Sequence, residues 1–345
     1  MKAAVIGATG YGGIELIRLL SNHPEFTLHS VYSSSKDQVP ATDDYPHLHE
    51  ICPLPLMKID PEKITTECDV VFLAVPSGAS SFLSPQLLAN NTKVVDLSGD
   101  LRLKNTEDYK KWYKKEPAEA STLEQAVYGL TEWNREEVKN ASLLSNPGCY
   151  PTATLLGLAP AIQAEAIDPS SIIIDAKSGV SGAGRGLSQL VHFAEMNDNF
   201  RIYKVNQHQH IPEIEQQLQA WDSTVGPITF STHLLPITRG IMATIYAPMK
   251  QPMSAVELHQ LYKEAYKDSF FVRVRPLGEF PGVKEVAGSN FCDIGIDVDE
   301  RTNRATIVAV IDNLMKGAAG QAIQNANIMF GIEETAGLRG FPIYP

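Results

Sequence analysis

Residues 2–20, KAAVIGATGYGGIELIRLL, decide the fold. The run opens with a short apolar stretch before the first glycine, the pattern of a strand buried on both faces. Glycines follow at Gly7, Gly10, Gly12 and Gly13, and then Ile14, Ile17 and Leu20 recur at helical spacing until Asn22-His23-Pro24 stops the helix. Strand, glycine turn and helix together form the G-x-x-G-x-x-G variant of a dinucleotide-binding turn. Glycine permits the tight bend and lets the backbone approach a pyrophosphate, whose charge the helix N-terminus stabilises. Gly7, Thr9, Gly10, Tyr11, Gly12 and Gly13 are therefore candidate cofactor contacts.

Working outward, FTLHSVYSS, DVVFLAVPSG and KVVDLSGDLR read as further strands alternating with helices, which points to a parallel sheet covered on both sides. The second of these strand segments ends at Pro76-Ser77, a further candidate cofactor loop. Where an NAD site commonly carries a carboxylate, this chain has Ser33, Ser34 and Lys36. Hydroxyls and a lysine suit a 2′-phosphate, so NADP is expected over NAD. After Cys149 the character changes. SIIIDAKSGVSG, PITFSTHLLPITRGIMATIYAPM, FFVRVRPLG, NFCDIGIDVDE and RATIVAVIDNL are closely spaced strand-like runs, an α+β pattern with a mainly antiparallel or mixed sheet. A closing helix is expected from about Lys316 to Met329. The expected fold is thus α/β plus α+β: residues 1–148 with 314–345 as a Rossmann-type cofactor domain, and 149–313 as a catalytic and oligomerisation domain.

The bulk numbers agree with a two-domain folded protein. The chain has 345 residues, 43% of them hydrophobic and 20% charged, with a formal net charge of −11. That balance argues against a general nucleic-acid binder. Four scattered cysteines without a C-x-x-C pair argue against a disulfide framework or a zinc ribbon, so reduced thiols in a cytoplasmic protein are expected. No signal peptide and no membrane span are expected.

The stretch SNPGCYPTATLLGLA places Cys149 between a turn and a helix that reads as ending at Pro160. A thiol at a helix N-terminus is held toward its thiolate form, which makes Cys149 a candidate nucleophile. NQHQHIPEIEQQLQAW offers His208 and His210 as acid/base partners. If the pair is extended, both point one way, ahead of a helix opened by Pro212 with Glu213 and Glu215 in its first turn. An H-x-H pair can also chelate, but no third ligand is apparent and no metal is expected. Arg102, Arg185 and Arg239 lie at strand ends or glycine turns and are candidates for binding an anionic substrate.

Seven segments in order, GATGYGG, DLSGDLR, SNPGCYPTA, KSGVSGAGR, HQHIPEIEQ, LLPITRG and DNLMKGAAGQA, resemble the N-acetyl-γ-glutamyl-phosphate reductase family. The resemblance spans nearly the whole chain. It implies the fold shared with aspartate-semialdehyde dehydrogenase, with a C-terminal helix returning to the first domain. It implies NADPH-dependent reduction of an acyl phosphate through a thioester on Cys149, in the third step from glutamate toward arginine. His208 or His210 would serve as acid/base, and the arginines would bind phosphate. Ser181, Gly182 and Gly184 would lie in the loop near the nicotinamide, and Asn313 near its carboxamide. A homo-oligomer, dimer or tetramer, acting on a small molecule is expected. Two alternatives stay open: a reductase of carrier-bound aminoadipyl phosphate in lysine synthesis, and a non-catalytic nucleotide sensor.

Overall fold

The structure is a computed structural model that describes residues 1–344. The chain divides into two compact units, Met1–Gly148 with Ala318–Gly340, and Cys149–Gly317 with the terminal stretch from Phe341.

The first unit is built on eight strands: β1 (Lys2–Ile6), β2 (Thr27–Tyr32), β3 (Val39–Pro40), β4 (Pro55–Met57), β5 (Val70–Leu73), β6 (Lys93–Asp96), β7 (Val127–Tyr128) and β8 (Leu143–Ser145). Their order is β3-β4-β2-β1-β5-β6-β8-β7. All neighbours are parallel except β3 and β4. β1 is central, and Ala3, Ala4, Val5 and Ile6 are fully buried, which is why the sequence there is apolar without alternation. The strand order reverses beside β1: β2 lies on one side and β5 on the other. The loops after β1 and β5 therefore diverge and leave a crevice at the carboxyl edge of the sheet, the usual place for a ligand in such sheets.

The last helix, Gly320–Met329, is buried on every side yet carries Gln321, Gln324, Asn325 and Asn327. These amides are tolerated because each is hydrogen-bonded inside the unit. Asn325 donates to Gly129 O (2.8 Å) and Asn146 Oδ1 (3.1 Å), Gln321 to Gly129 O (2.9 Å), and Asn327 pairs with His23 Nε2 (3.0 Å). The expected start of this helix near Lys316 is shifted: Met315–Ala319 form a π turn, and the α-helix begins at Gly320.

The second unit has seven strands: β9 (Ile173–Gly179), β10 (Arg201–Tyr203), β11 (Thr229–Leu235), β12 (Ile241–Pro248), β13 (Val272–Val274), β14 (Cys292–Asp299) and β15 (Arg304–Ile311). Their order is β10-β11-β9-β12-β15-β14-β13. The sheet is mixed: β11 is parallel to β9 and β13 to β14, and the other neighbours are antiparallel. Helix Cys149–Gln163 packs on β12 and β15 and against helices Ile211–Trp221 and Ala255–Ala265. It is buried from Tyr150 to Ile162, so its sequence is apolar all round.

That helix does not stop at Pro160, as its sequence suggests; it runs through to Gln163. A proline there cannot donate to the carbonyl four residues back, Leu156 O. The Tyr266 hydroxyl donates to Leu156 O instead, and the Tyr262 hydroxyl donates to Gly157 O at 2.6 Å. Two buried tyrosines thus satisfy the carbonyls that a proline disturbs, and the helix continues.

Asp96, the last residue of β6, is fully buried and accepts hydrogen bonds from Ser98 N (2.9 Å), Ser98 Oγ (3.0 Å) and Ser80 Oγ (2.8 Å). Burial, and then the nearby Asp100 carboxylate, push Asp96 from 3.8 up to about 6. The folded state holds this proton more tightly than the unfolded chain, so stability is lost as pH rises through that interval, at up to about 1.4 kcal/mol per pH unit. Asp96→Asn removes that loss. Urea unfolding of both proteins at several pH values between 4 and 7.5 is expected to show the variant gaining on the wild type as pH rises. A pH-independent difference would contradict the burial argument.

Candidate active site

The glycine turn of the first unit has the geometry of an anion cradle. Gly7 adopts φ +88°, and a Cβ there would lie 2.2 Å from Ala74 O. A Cβ on Gly13 would lie 2.2 Å from Gly7 O, so the helix could not approach the strand so closely with any other residue. Gly10 N donates to Gly7 O at 3.1 Å and closes the turn. Helix Tyr11–Leu20 starts from Gly10 with no side-chain cap and no acidic residue in its first turn. Its leading N–H groups thus lack the oxygen that a serine or aspartate cap would supply, which suits a phosphate. Tyr45 donates its hydroxyl to Thr9 O at 3.0 Å and fixes the turn from the side.

At the end of β2, Ser33 is buried and Ser34 exposed. Ser33 N donates to Met57 O (3.0 Å), and Ser33 Oγ accepts from Ser35 N (3.3 Å). Lys36 is ion-paired with Asp44 at 2.8 Å, so this cation is held in place by a neighbouring carboxylate. The Pro76-Ser77 loop follows β5, with Lys115 Nζ donating to Ser77 O. Arg102 is 7% exposed and donates from Nε to Asn146 O (2.9 Å) and from Nη2 to Leu97 O (2.8 Å). It braces the backbone that runs into Cys149.

In the second unit Cys149 is the first residue of its helix and partly exposed, whereas Cys52, Cys68 and Cys292 are buried. Burial pushes the Cys52 and Cys68 thiols up and makes them poor nucleophiles. The seat of Cys149 is set by the π turn at Met315–Ala319. Gly317 N donates to Asp312 O at 3.0 Å, and a Cβ on Gly317 would come within 2.8 Å of Cys149 Cβ. Asp312, fully buried, shapes that turn by accepting from Leu314 N (2.8 Å) and Met315 N (3.1 Å).

An aromatic cluster surrounds the residue after the cysteine. Tyr150 meets His208 and His210 edge-on, with centroids 5.4 and 6.0 Å apart, and its hydroxyl lies 3.1 Å from that of Tyr203. The two imidazoles lie 4.6 Å apart. They are not on a strand, as an extended H-x-H reading requires. They sit in a turn, with His210 in a helical conformation (φ −82°, ψ −11°) as the N-cap of helix Ile211–Trp221. The turn brings the rings together because His210 N donates to His208 Nδ1 at 3.1 Å. That bond makes Nδ1 an acceptor, so the neutral His208 ring carries its proton on Nε2. Burial, and then Lys204, lower His208 to about 3. Glu213 is in the first turn as expected, but Glu215 is used elsewhere, accepting from Ile228 N at 3.0 Å.

Three loops of this unit meet at Asn313. Its Nδ2 donates to Ser181 Oγ (2.9 Å) and its Oδ1 accepts from Gly240 N (2.8 Å). Gly182 passes so close that a Cβ would be 3.1 Å from Ser178 Oγ, whereas Gly184, at φ +81°, opens into space. Arg185 follows on the exposed part of that loop, and Arg239 lies 3.6 Å from Asp312. Sequence reasoning missed Gly317, Tyr203 and Asp312. Gly317 and Asp312 both lie inside a recognised segment, but their roles depend on a close approach and a turn that no spacing rule reveals. Among the described residues no group of three metal-ligating side chains assembles.

Residues 2–141 match the family described as Semialdehyde dehydrogenase, NAD binding domain, and residues 149–313 match Semialdehyde dehydrogenase, dimerisation domain. The chain is 59% identical to an N-acetyl-gamma-glutamyl-phosphate reductase from Geobacillus sp. (strain WCH70) over 345 residues, the whole of both chains. It is 58% identical to the reductase of that name from Halalkalibacterium halodurans, again over the whole of both. Among solved structures it resembles aspartate semialdehyde dehydrogenase with NADP from Candida albicans, at a TM-score of 0.73 and 18% identity over 95% of this chain and 98% of that one. Aspartate semialdehyde dehydrogenase II from Vibrio cholerae matches at a TM-score of 0.71 and 15% identity, over 96% and 98%. A likeness at that identity establishes the fold, and full-length identity near three-fifths establishes more: the chain belongs to the N-acetyl-gamma-glutamyl-phosphate reductase family.

Proposed function

We propose that the protein reduces N-acetyl-L-glutamyl 5-phosphate to N-acetyl-L-glutamate 5-semialdehyde with NADPH and releases phosphate, the third step from glutamate toward arginine. The observation that carries the mechanism is the seat of Cys149: a partly exposed thiol on the first residue of a 15-residue helix, cleared by Gly317. The helix N-terminus favours the thiolate. The thiolate attacks the acyl carbon, the carbon–oxygen bond to phosphate breaks, and a thioester forms on Cys149. NADPH, when bound, would supply the hydride that reduces the acyl group; the carbon–sulfur bond then breaks, which frees the aldehyde and returns the Cys149 thiolate. N–H groups at the helix start stabilise the developing oxyanion, and a histidine supplies and recovers its proton.

We assign that proton transfer to His210. His208 is held neutral with Nδ1 occupied, far below the pKa near the working pH that suits an acid/base. Its role is to set the turn and orient His210. Cofactor contacts are assigned to Gly7, Thr9, Gly10, Tyr11, Gly12, Gly13, Ser33, Ser34, Lys36, Pro76 and Ser77. Ser181, Gly182, Gly184 and Asn313 are assigned to the nicotinamide side and Arg185 and Arg239 to the phosphate, whereas Arg102, expected there too, is committed to the carbonyls of Leu97 and Asn146. The first unit, Met1–Gly148 with Ala318–Gly340 rather than the expected 314–345, acts as the NADP domain, and the second as the catalytic and oligomerisation domain. A cytoplasmic homo-oligomer is supported by the reduced cysteines and by Phe200 and Ile202, 58% and 48% exposed at the edge strand β10.

In the reverse direction, N-acetylglutamate semialdehyde is expected to reduce NADP only when phosphate is present, followed at the nicotinamide absorbance. Turnover with an aminoadipate derivative and none with this aldehyde would reassign the substrate. Cys149→Ser is expected to keep NADPH binding and lose almost all turnover, and full activity in that variant would exclude the thioester. His210→Asn is expected to lower kcat by about 100-fold or more. His208→Asn acts more weakly on kcat and instead changes the acid limb of stability. With a folded pKa lowered from 6.5 to about 3, His208 contributes stability that is complete above 6.5 and lost as pH falls toward 3. Unfolding curves between pH 7.5 and 4 are expected to show a shallower acid loss in His208→Asn. Equal kcat losses in the two variants would overturn the assignment.

A further inference from the structure

The carboxyl edge of the first sheet presents two helix N-termini, and they are finished in opposite ways. Helix Tyr11–Leu20 has no side-chain cap. Helix Ser80–Leu87 is closed by a carboxylate from another loop, Asp100. Gly78 N donates to both Asp100 oxygens at 2.7 Å, Ser80 N to Oδ2 at 3.0 Å and Ser81 N to Oδ2 at 3.1 Å. The Ser80 hydroxyl (3.2 Å) and the Tyr109 hydroxyl (2.6 Å, to Oδ1) complete the shell. Gly78 adopts φ +95°, which turns its N–H toward the same point as those of the helix. Successive N–H groups converging in this way form the nest that elsewhere receives a phosphate. Here the protein fills it with its own anion, and Asp100 is fully buried there.

The loop carrying Asp100 is itself clamped. Tyr109 and Tyr113 stack at 4.6 Å with planes 9° apart, and a Cβ on Gly99 would lie 2.3 Å from the Tyr113 ring. The segment that Asp100 grips begins at Ala74, whose carbonyl approaches Gly7 so closely that only glycine fits. The position of residues 74–78 therefore sets the clearance over the glycine turn.

We propose that Asp100 is a positioning residue for the cofactor. As a resident anion it closes the nest of helix Ser80–Leu87 to phosphate, fixes Pro76–Ser77 beside the crevice, and leaves the uncapped Gly7–Gly13 turn to receive the pyrophosphate. The proposal rests on the NADPH reading above. Charge-assisted bonds from three backbone N–H groups and two hydroxyls hold the loop more firmly than a neutral cap could.

NADPH titration by fluorescence, with KM for the acyl phosphate measured in parallel, tests it. Asp100→Asn keeps the volume but turns an amide toward N–H donors, and Asp100→Ala empties the nest. Both are expected to weaken NADPH binding at least about tenfold while KM for the acyl phosphate changes much less. Formate is expected to restore most of the affinity of Asp100→Ala and to leave the wild type unchanged. Folded variants that bind NADPH as the wild type does would overturn the proposal, as would a loss of affinity that formate does not restore. Should neither variant fold, Tyr109→Phe keeps the carboxylate and removes one donor. A loss of about threefold in NADPH affinity is expected there, and no loss counts against the proposal. A wild type that does not bind NADPH would overturn the cofactor reading itself, a separate result.

Discussion

No side chain fits at Gly317. A Cβ at that position would lie 2.8 Å from Cys149 Cβ and 3.2 Å from its Cα, so Cys149 keeps its seat only because the π turn presents bare backbone. Much of the second unit serves that contact. Asp312, fully buried, gathers the N–H groups that open the turn and also takes Gly288 N at 2.7 Å. β15 delivers Asp312 and Asn313 at its end, and Asn313 ties the loops after β9 and before β12 to the same point. An extra residue in one helical turn is thus the means by which a strand end and a helix start are brought into register.

The two ends of the chemistry are built by contrasting electrostatics. The first unit concentrates backbone N–H groups at its sheet edge and fills one nest with Asp100 while leaving the glycine turn uncapped. The second unit buries its polar groups among aromatic rings. Tyr150, Tyr203, Phe230 and His208 form one edge-to-face cluster, in which burial pushes the Tyr203 phenol up to about 12 and holds His208 neutral. His208, neutral and fixed by the bond to its Nδ1, lies against the ring of His210 two residues on.

Much of this was legible before any coordinates. The strand–glycine–helix reading of residues 2–20 needs only local rules, because each glycine there answers a local steric demand and the buried β1 leaves an unbroken apolar run. Cys149 at a helix start was legible for the same reason. The readings that failed are those in which a distant group overrides a local rule. Pro160 should end its helix, but Tyr262 and Tyr266, about a hundred residues on, satisfy the carbonyls. The H-x-H pair looks extended, but the bond from His210 N to His208 Nδ1 folds it into a turn.

The sequence by itself determined the two-part architecture, the dinucleotide turn and the place of Cys149 at a helix start, because these depend on periodicity and on residues adjacent in the chain. Only the tertiary structure decided which polar groups are committed and to what. Asp100 and Arg102 stand two residues apart in one segment, of which only Arg102 reads as a ligand contact. One is a resident anion in a helix nest, and the other gives two guanidinium nitrogens to backbone carbonyls. A hydrogen bond saturates its partner, and the partners here lie tens of residues away along the chain. Spacing rules can show that a carboxylate or a guanidinium is present, but not what already occupies it.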